Sequence, residues 1–480
     1  MDAADFRRHG HALVDWIAEY LEHPGKYPVL SRATPGDIVA ALPAGAPEEG
    51  ESFEAIVADF ERILVPGLTH WNHPGFLAYF PITGSAPGVL AEFLAAALNQ
   101  QAMLWRTSPA ATELEEVALG WLRRLIGLPD AFEGVIYDTA STSTLHALVA
   151  ARQAAVDDVR ARGLAGRPDV PPLRVYCSEQ AHSSIDKAVM AIGLGLESLR
   201  KIPIDEEFRL RVDALKAAIA EDRAAGRLPI AVVATVGTTA TTSIDPVGEI
   251  AEVCAAESLW LHVDAAYGGM AAMLPSHAHV LKGADRADSL VVNPHKWLFT
   301  PVDLSAFYTR RMDAIRAAFA LTPAYLQTTE TAPVKNLMDT GFQLGRRFRA
   351  LKLWMILRSF GARAIRRHLS RHIAIARSFG AWVDAHPDFE RVAPVPLSVV
   401  CFRWNPSVPA GSGLPPEGLD DANERLVDAV NSTGEVFLTH TRLRGRIAIR
   451  LAVGHLDTTE AHVRRAWELL VSCAAGAARA

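Results

Sequence analysis

Leu261-His262-Val263-Asp264-Ala265-Ala266-Tyr267-Gly268 and, a short gap later, Ser289-Leu290-Val291-Val292-Asn293-Pro294-His295-Lys296-Trp297 are the segments whose reading decides the fold. Each opens as a short apolar run and soon reaches an ionisable residue, Asp264 in the first and Lys296 in the second. Apolar runs of this length read as buried strands. Similar runs recur at 134–137, 174–177 and 230–234, beside those at 259–263 and 290–292, and helix-like stretches at 144–155, 212–225 and 247–256 fall between them. Strands interleaved with helices predict an α/β fold with a mainly parallel sheet covered on both faces. Such sheets bind ligands outside the carboxyl ends of their strands, which is where this pattern places Asp264 and Lys296.

The chemistry of the pair is specific. A lysine whose stem lies in an apolar pocket has its amine pKa lowered by desolvation and can form a Schiff base with an aldehyde. A carboxylate at a strand end suits a protonated pyridine nitrogen, so the two residues together predict pyridoxal phosphate as the cofactor. Residues 138–144, Asp-Thr-Ala-Ser-Thr-Ser-Thr, put small residues and hydroxyls where a strand gives way to a helix, and free amides at a helix N-terminus bind a phosphate dianion. Gly237-Thr238-Thr239, after the strand ending near Thr235, can join the same pocket or form a turn. His182 also follows a strand, where an imidazole can stack on a flat ring or simply cap a loop.

Composition bounds the rest. The 480 residues, 50% hydrophobic and 21% charged, can bury large cores, and length sets a prior of roughly three domains. A net charge of -6 excludes a general attraction to nucleic acid or to an anionic membrane surface. The four cysteines, Cys177, Cys254, Cys401 and Cys473, lie far apart with no CxxC pair, which predicts reduced thiols. No run of 18 apolar residues and no signal pattern at the start are present, so the expectation is a cytoplasmic protein without a membrane span. His368 and His372 stand at i and i+4 without a suitable third ligand, so no metal is predicted. Together with Arg363, Arg366, Arg367 and Arg371 they read as a solvated helix face.

Three parts are expected. Residues 1–85 form a helical segment, with Leu13, Trp16, Ile17 and Tyr20 on one apolar face and Phe53, Ile56, Val57, Phe60 and Ile63 on another. These faces lack a core of their own and call for another surface, either a second subunit or the same chain's main domain. Residues 86–355 hold the large domain, running into a helical stretch at 348–360. Residues 356–480 hold a smaller α/β domain with strands at 398–402 and 446–450, an exposed loop at 405–418 and a closing helix at 458–473.

Longer motifs carry a family resemblance. Phe6-Arg7-Arg8-His9-Gly10, Thr69-His70-Trp71, Ala78-Tyr79-Phe80-Pro81, the run Ser-Pro-Ala-Ala-Thr-Glu-Leu-Glu at 108–115, Asn293-Pro294-His295-Lys296-Trp297, Gly345-Arg346-Arg347-Phe348-Arg349 and Ala461-His462-Val463 span nearly the whole chain. Together they resemble the group II pyridoxal-phosphate decarboxylases, in particular the aromatic-L-amino-acid decarboxylases of DOPA, tyrosine and tryptophan. The resemblance implies an aspartate-aminotransferase-type (fold type I) enzyme, a homodimer with the active site at the subunit interface. It implies that Lys296 holds the cofactor covalently, that Asp264 pairs with the pyridine nitrogen and that His182 stacks on the ring. Ala140, Ser141, Thr239, Ala266, Asn293 and His295 would surround the phosphate or the ring edge. Trp71, Tyr79, Phe80, Pro81, Ile82, Met103 and Gly345 would line the substrate pocket. Tyr325, at the start of a polar stretch reading as a lid at 327–333, would protonate Cα after carbon dioxide leaves.

Some positions depart from the animal DOPA decarboxylases. Ile82 stands where those enzymes carry a Thr and Met103 where they carry a Phe, which argues against a catechol preference, while Gly345 leaves room for a large ring. The implied reaction is decarboxylation of an aromatic L-amino acid to its amine. The alternatives are an aromatic aldehyde synthase, which goes with loss of the loop tyrosine, a decarboxylase of a non-aromatic amino acid, and a silent binding homologue. Tyr325 argues against the aldehyde synthase, and intact Lys296, Asp264 and His182 argue against the silent homologue.

Overall fold

The computed structural model describes residues 1–321, 334–406 and 416–477. Two compact units divide the chain: the larger holds Ile82–Gly380 and Arg391–Cys401, and the smaller holds Met1–Pro81, Ala381–Glu390 and Phe402–Ala480. The N-terminal residues therefore share a unit with the end of the chain.

The larger unit is built on a seven-stranded sheet. Its strands are β1 (Glu133–Tyr137), β2 (Leu173–Ser178), β3 (Leu199–Ile202), β4 (Leu228–Thr235), β5 (Trp260–Asp264), β6 (Ser289–Val292) and β7 (Ser305–Thr309), in the order β1-β7-β6-β5-β4-β2-β3. From β3 through β2, β4 and β5 to β6 every pairing is parallel, and β7 runs antiparallel to both β6 and β1. Burial explains the strands: β5, β6 and β7 are buried at every position and β4 at all but its first. The helix Ala140–Ala155 packs one such face through Ala147, Leu148 and Ala151, in a core shared with Val175, Val233 and Phe307.

β3 and β7 lie outside the strands read from the sequence. β3, Leu-Arg-Lys-Ile, is an edge strand carrying two charges, and β7, Ser-Ala-Phe-Tyr-Thr, lacks an aliphatic run. The turn after β4 depends on glycine. Gly237 has φ +89°, and a Cβ there would come within 2.9 Å of the backbone nitrogen of Gly268, so no side chain fits between the ends of β4 and β5. The helical stretch at 348–360 belongs to a longer element, Ala350–Ala385, broken at Gly361 where φ is 66°. Its basic run is not a uniformly solvated face: His372 is buried, and Arg366 donates from Nε to the carbonyl of Met273 at 2.8 Å.

A second sheet has the order β10-β11-β9-β8, with β8 at Phe389–Arg391, β9 at Val399–Trp404, β10 at Thr439–Leu443 and β11 at Arg446–Ala452. The helix Pro416–Ser432 starts inside the stretch expected as a loop, of which residues 407–415 lie outside the described residues. At the N-terminus the helix Ala3–Glu22 starts where the Asp2 side chain accepts the amides of Ala4 and Asp5, both at 2.8 Å. Trp16 stacks on Tyr20 at 5.5 Å and meets Phe60 edge-on at 5.2 Å, yet no residue of this helix is fully buried.

One buried ion pair ties the larger unit together. Arg346 and Glu115 meet at 2.8 Å, Arg346 also donates to the carbonyls of Ile136 and Ala102, and Glu115 accepts the amide of Ile136 at 2.8 Å. Removing one partner leaves the other charge buried and uncompensated, so Arg346→Met should lower the unfolding free energy of this unit by about 3 kcal/mol. Urea denaturation followed by tryptophan fluorescence measures the loss.

Candidate active site

Three strand ends define the site. Thr235 of β4 lies in register with Asp264 of β5, and Asp264 with Val291 of β6, so the carboxylate stands at the carboxyl edge in the middle of the parallel strands. Asp264 is buried, its Oδ1 accepting the amide of Ala266 at 3.1 Å and its carbonyl accepting the amide of Val236 at 2.8 Å. Lys296 sits in the single helical turn Pro294–Trp297 that follows β6.

The two segments are stapled to each other. Asn293 donates its amide to the carbonyl of Ala266 at 3.0 Å, and Lys296 donates its own to the carbonyl of Asn293 at 2.9 Å. Trp297 stacks on Tyr267 with centroids 4.6 Å apart and planes 6° from parallel, and its Nε1 donates to His372 Nδ1 at 3.0 Å. The Tyr267 hydroxyl in turn bonds Ser398. Neither the Asp264 nor the Lys296 backbone can move independently.

His182 joins them electrostatically. Its Nδ1 accepts the amide of Ser184 at 3.1 Å and meets the Ser184 hydroxyl at 2.9 Å, which leaves Nε2 as the nitrogen bearing hydrogen in the neutral ring. Burial pushes its pKa down, the Asp264 charge opposes that, and the Lys296 charge adds to it. The sequence-predicted trio is thus one electrostatic cluster.

The predicted phosphate contacts divide. Thr139 caps the helix Ala140–Ala155 by accepting the amide of Thr142 at 3.4 Å, and the amides of Ala140 and Ser141 have no carbonyl of their own helix to bond. Thr238, Thr241 and Ser243 are buried and bonded to one another by hydroxyl contacts of 3.0 and 2.8 Å, leaving exposed Thr239 at the tip of a rigid turn. Ala266 lies buried beside Asp264.

Two orphaned atoms test whether a polar cofactor fits. Thr235 Oγ1 and Asn293 Oδ1 are buried without a hydrogen-bond partner among the described residues. His295 accepts the amide of Leu304 at Nδ1, 2.9 Å away, so its Nε2 carries the hydrogen that faces the Asn293 carboxamide at 3.2 Å. Either orientation of that carboxamide leaves one of its atoms without a mate among the described residues. Unmet polar groups beside Asp264 and Lys296 fit a polar ligand at this edge.

The sequence reading missed the layer beneath. His262, two residues before Asp264 and on the same face of β5, sits in a buried chain: Trp260 Nε1 donates to Ser289 Oγ at 2.9 Å, His262 Nδ1 meets that hydroxyl at 2.9 Å, and Nε2 meets Thr144 Oγ1 at 3.2 Å. The period-two alternation of β5 was the signal that could have found it.

Of the residues expected to line a substrate pocket, Trp71, Tyr79, Phe80 and Pro81 lie in the smaller unit. There Trp71 stacks on Phe76 at 4.3 Å and on Tyr79 at 5.8 Å, and the Arg450 guanidinium lies 5.0 Å from the Phe80 ring centroid. Ile82, Met103 and Gly345 lie in the larger unit. Met103 packs against Leu104 and Met338. The space at Gly345 faces a side chain of this chain, for a Cβ there would come within 3.2 Å of Gln101 Nε2. Tyr325 lies outside the described residues. Among the described residues no group of three His, Cys, Asp or Glu is placed to hold a metal ion, and no helix is long and apolar enough to cross a membrane.

The model of the pyridoxal-dependent decarboxylase conserved domain matches residues 35–405. The chain belongs to this family. It is therefore an enzyme whose cofactor is pyridoxal phosphate, in agreement with the unmet polar atoms of Thr235 and Asn293 at this sheet edge. Among its relatives, the aromatic-L-amino-acid decarboxylase of Sus scrofa is 39% identical over 99% of this chain and 97% of its own. Phenylacetaldehyde synthase of Arabidopsis thaliana is 36% identical over 98% of this chain and 96% of its own. The crystal structure of Oryza sativa TDC with PLP and tryptamine superposes with a TM-score of 0.94, covers 99% of each chain and is 36% identical.

Buried histidines give this decarboxylase a defined acid limit. Burial pushes His146 and His262 from 6.5 to about 4 and His295 to about 3. Below 6.5 the unfolded chain binds more protons than the folded one, so the stability these neutral rings contribute is complete above 6.5 and is lost as pH falls toward 4 and then 3. Melting temperature should drop steadily over that window, with proton uptake on unfolding measurable by calorimetry in buffers of different ionisation enthalpy.

Proposed function

We propose that this enzyme decarboxylates an aromatic L-amino acid to the corresponding amine and carbon dioxide. The observation that carries the reading is the convergence of His182, Asp264 and Lys296 at one sheet edge, in a chain similar over its whole length to aromatic-L-amino-acid decarboxylases. When bound, pyridoxal phosphate supplies an electron sink for the pair left at Cα as carbon dioxide departs. Lys296 would anchor it through the side-chain nitrogen, and Asp264, held by the Ala266 amide, would keep the ring nitrogen protonated. The amides of Ala140 and Ser141, with Thr239, would hold the phosphate. His182 would present Nε2–H, since Ser184 occupies its other nitrogen. The partly exposed rings of Trp71 and Tyr79 offer flat apolar surface suited to an aromatic side chain.

The reading includes a homodimer. On the helix Ala86–Leu98, Leu90, Phe93, Leu94 and Leu98 are 47 to 55% exposed at a helical spacing that makes one apolar stripe. The four free cysteines, three of them buried, suit a reducing cytoplasm. Tyr325 is assigned the proton returned to Cα. An aldehyde synthase reading has support in the Arabidopsis relative, but retention of Tyr325 favours the amine.

Borohydride reduction of the yellow holoenzyme should fix the cofactor to a single peptide containing Lys296. A label at Lys335 or Lys352 would overturn the assignment. Lys296→Ala should keep its far-ultraviolet circular dichroism while turnover falls to background.

Tyr325→Phe keeps the ring and removes the proton donor. Amine output should fall by about a hundredfold, with aldehyde, ammonia and peroxide appearing in air and carbon dioxide falling less than amine. Unchanged amine output would assign proton delivery elsewhere.

A further inference from the structure

His262 lies two residues below Asp264 on the same face of β5, and Thr144 lies one turn below Ala140 in the helix Ala140–Ala155. Two steps down a strand and one turn down a helix reach nearly the same depth, about 7 Å and about 6 Å. The two side chains meet there, one layer beneath the site, His262 Nε2 standing 3.2 Å from Thr144 Oγ1. On its other side His262 Nδ1 meets Ser289 Oγ of β6 at 2.9 Å, and that hydroxyl also accepts Trp260 Nε1–H at 2.9 Å. His262, Thr144 and Ser289 are all fully buried.

Polar groups are a costly filling for a sheet interior. Apolar side chains at 144, 262 and 289 would extend the core that Val233 and Phe307 already form, without desolvating an imidazole and two hydroxyls. What the hydrogen bonds add is direction, which apolar burial lacks. Ser143 ties the same helix to β7 through Ser305 Oγ at 2.9 Å, and Thr144 ties it to the strand that bears Asp264. The ring nitrogen and the phosphate of the cofactor stand at a separation set by its own bonds, so the carboxylate and the helix N-terminus must match that separation. We propose that His262 is a positioning residue for the cofactor, holding Asp264 and the first turn of the helix Ala140–Ala155 at the span that lets one molecule reach both. The inference rests on the reading that Asp264 takes the ring nitrogen and the amides of Ala140 and Ser141 take the phosphate. It adds a residue that touches neither end but sets the distance between them.

Pieces of the cofactor test it, because only a molecule that bridges both ends feels their separation. Dissociation constants for pyridoxal phosphate, pyridoxal and inorganic phosphate are measured by calorimetry on the full chain freed of cofactor. The proteins are the parent, His262→Phe, His262→Gln, Asp264→Asn and Ala140→Pro, each checked for its melting transition. His262→Phe should raise the constant for pyridoxal phosphate roughly tenfold while those for the two pieces stay within about twofold of the parent. His262→Gln, whose amide nitrogen reaches the place of Nε2 and can bond Thr144, should stay within about threefold for all three ligands. His262→Asn, too short to reach Thr144, replaces the Phe variant if that one does not fold. An unchanged constant for pyridoxal phosphate in His262→Phe overturns the inference, and so does a loss shared equally by the pieces, which marks general loosening. Equal losses in the Phe and Gln variants overturn the bond to Thr144 as the cause. Asp264→Asn should weaken pyridoxal and spare phosphate, whereas Ala140→Pro, which removes one amide from a position that accepts proline, should weaken phosphate and spare pyridoxal. If either of these patterns fails, the assignment of the two ends falls and takes this inference with it.

Discussion

The bond from the Asn293 amide to the Ala266 carbonyl, with Trp297 lying flat on Tyr267 beside it, is the constraint on which the site depends. A carboxylate at one strand end and an amine four residues past another are useful only if their separation is fixed. Here the backbone after β5 is bonded to the backbone after β6, and a buried aromatic stack on the far side stops either from rotating. The stack is itself closed by His372 and Ser398, so residues distant in sequence hold Lys296 to Asp264. Positioning of this kind is how a rigid scaffold contributes to catalysis without touching the reacting atoms.

Beneath that edge the sheet interior is polar in a controlled way. Trp260, Ser289, His262 and Thr144 form one hydrogen-bonded chain under Asp264, and its members satisfy one another without any charge. Burial keeps His262 neutral at working pH, so it does not compete with a ring nitrogen for the Asp264 carboxylate. The same logic holds at His295, whose neutral ring orders Leu304 and Asn293. Neutral imidazoles support the site as hydrogen-bonding struts beside Asp264 and Lys296.

Much of this was legible from residue pattern. β1, β2, β4, β5 and β6 each contain a short apolar run and stood out, whereas β3 carries Arg200 and Lys201 at a sheet edge and β7 mixes hydroxyls with aromatics, so neither did. The positions of Asp264, Lys296 and His182 followed from strand ends. Thr235 and His262 did not, because their importance comes from the register Thr235 to Asp264 and from the face that His262 shares with Asp264.

By itself the sequence determined the α/β class, the cofactor chemistry and the candidate residues for it, because each rests on local facts: alternation and run length, a carboxylate and an amine beyond strand ends, small residues where a helix begins. Tertiary structure decided what no local pattern encodes. It fixed the strand order β1-β7-β6-β5-β4-β2-β3, the neutral histidines under the carboxylate, the Glu115–Arg346 pair and the side-chain space at Gly345, which faces Gln101. Each of these is a relation between residues distant in the chain, set by burial and by the need of every buried polar group for a partner, and that need is met only once the whole sheet has closed.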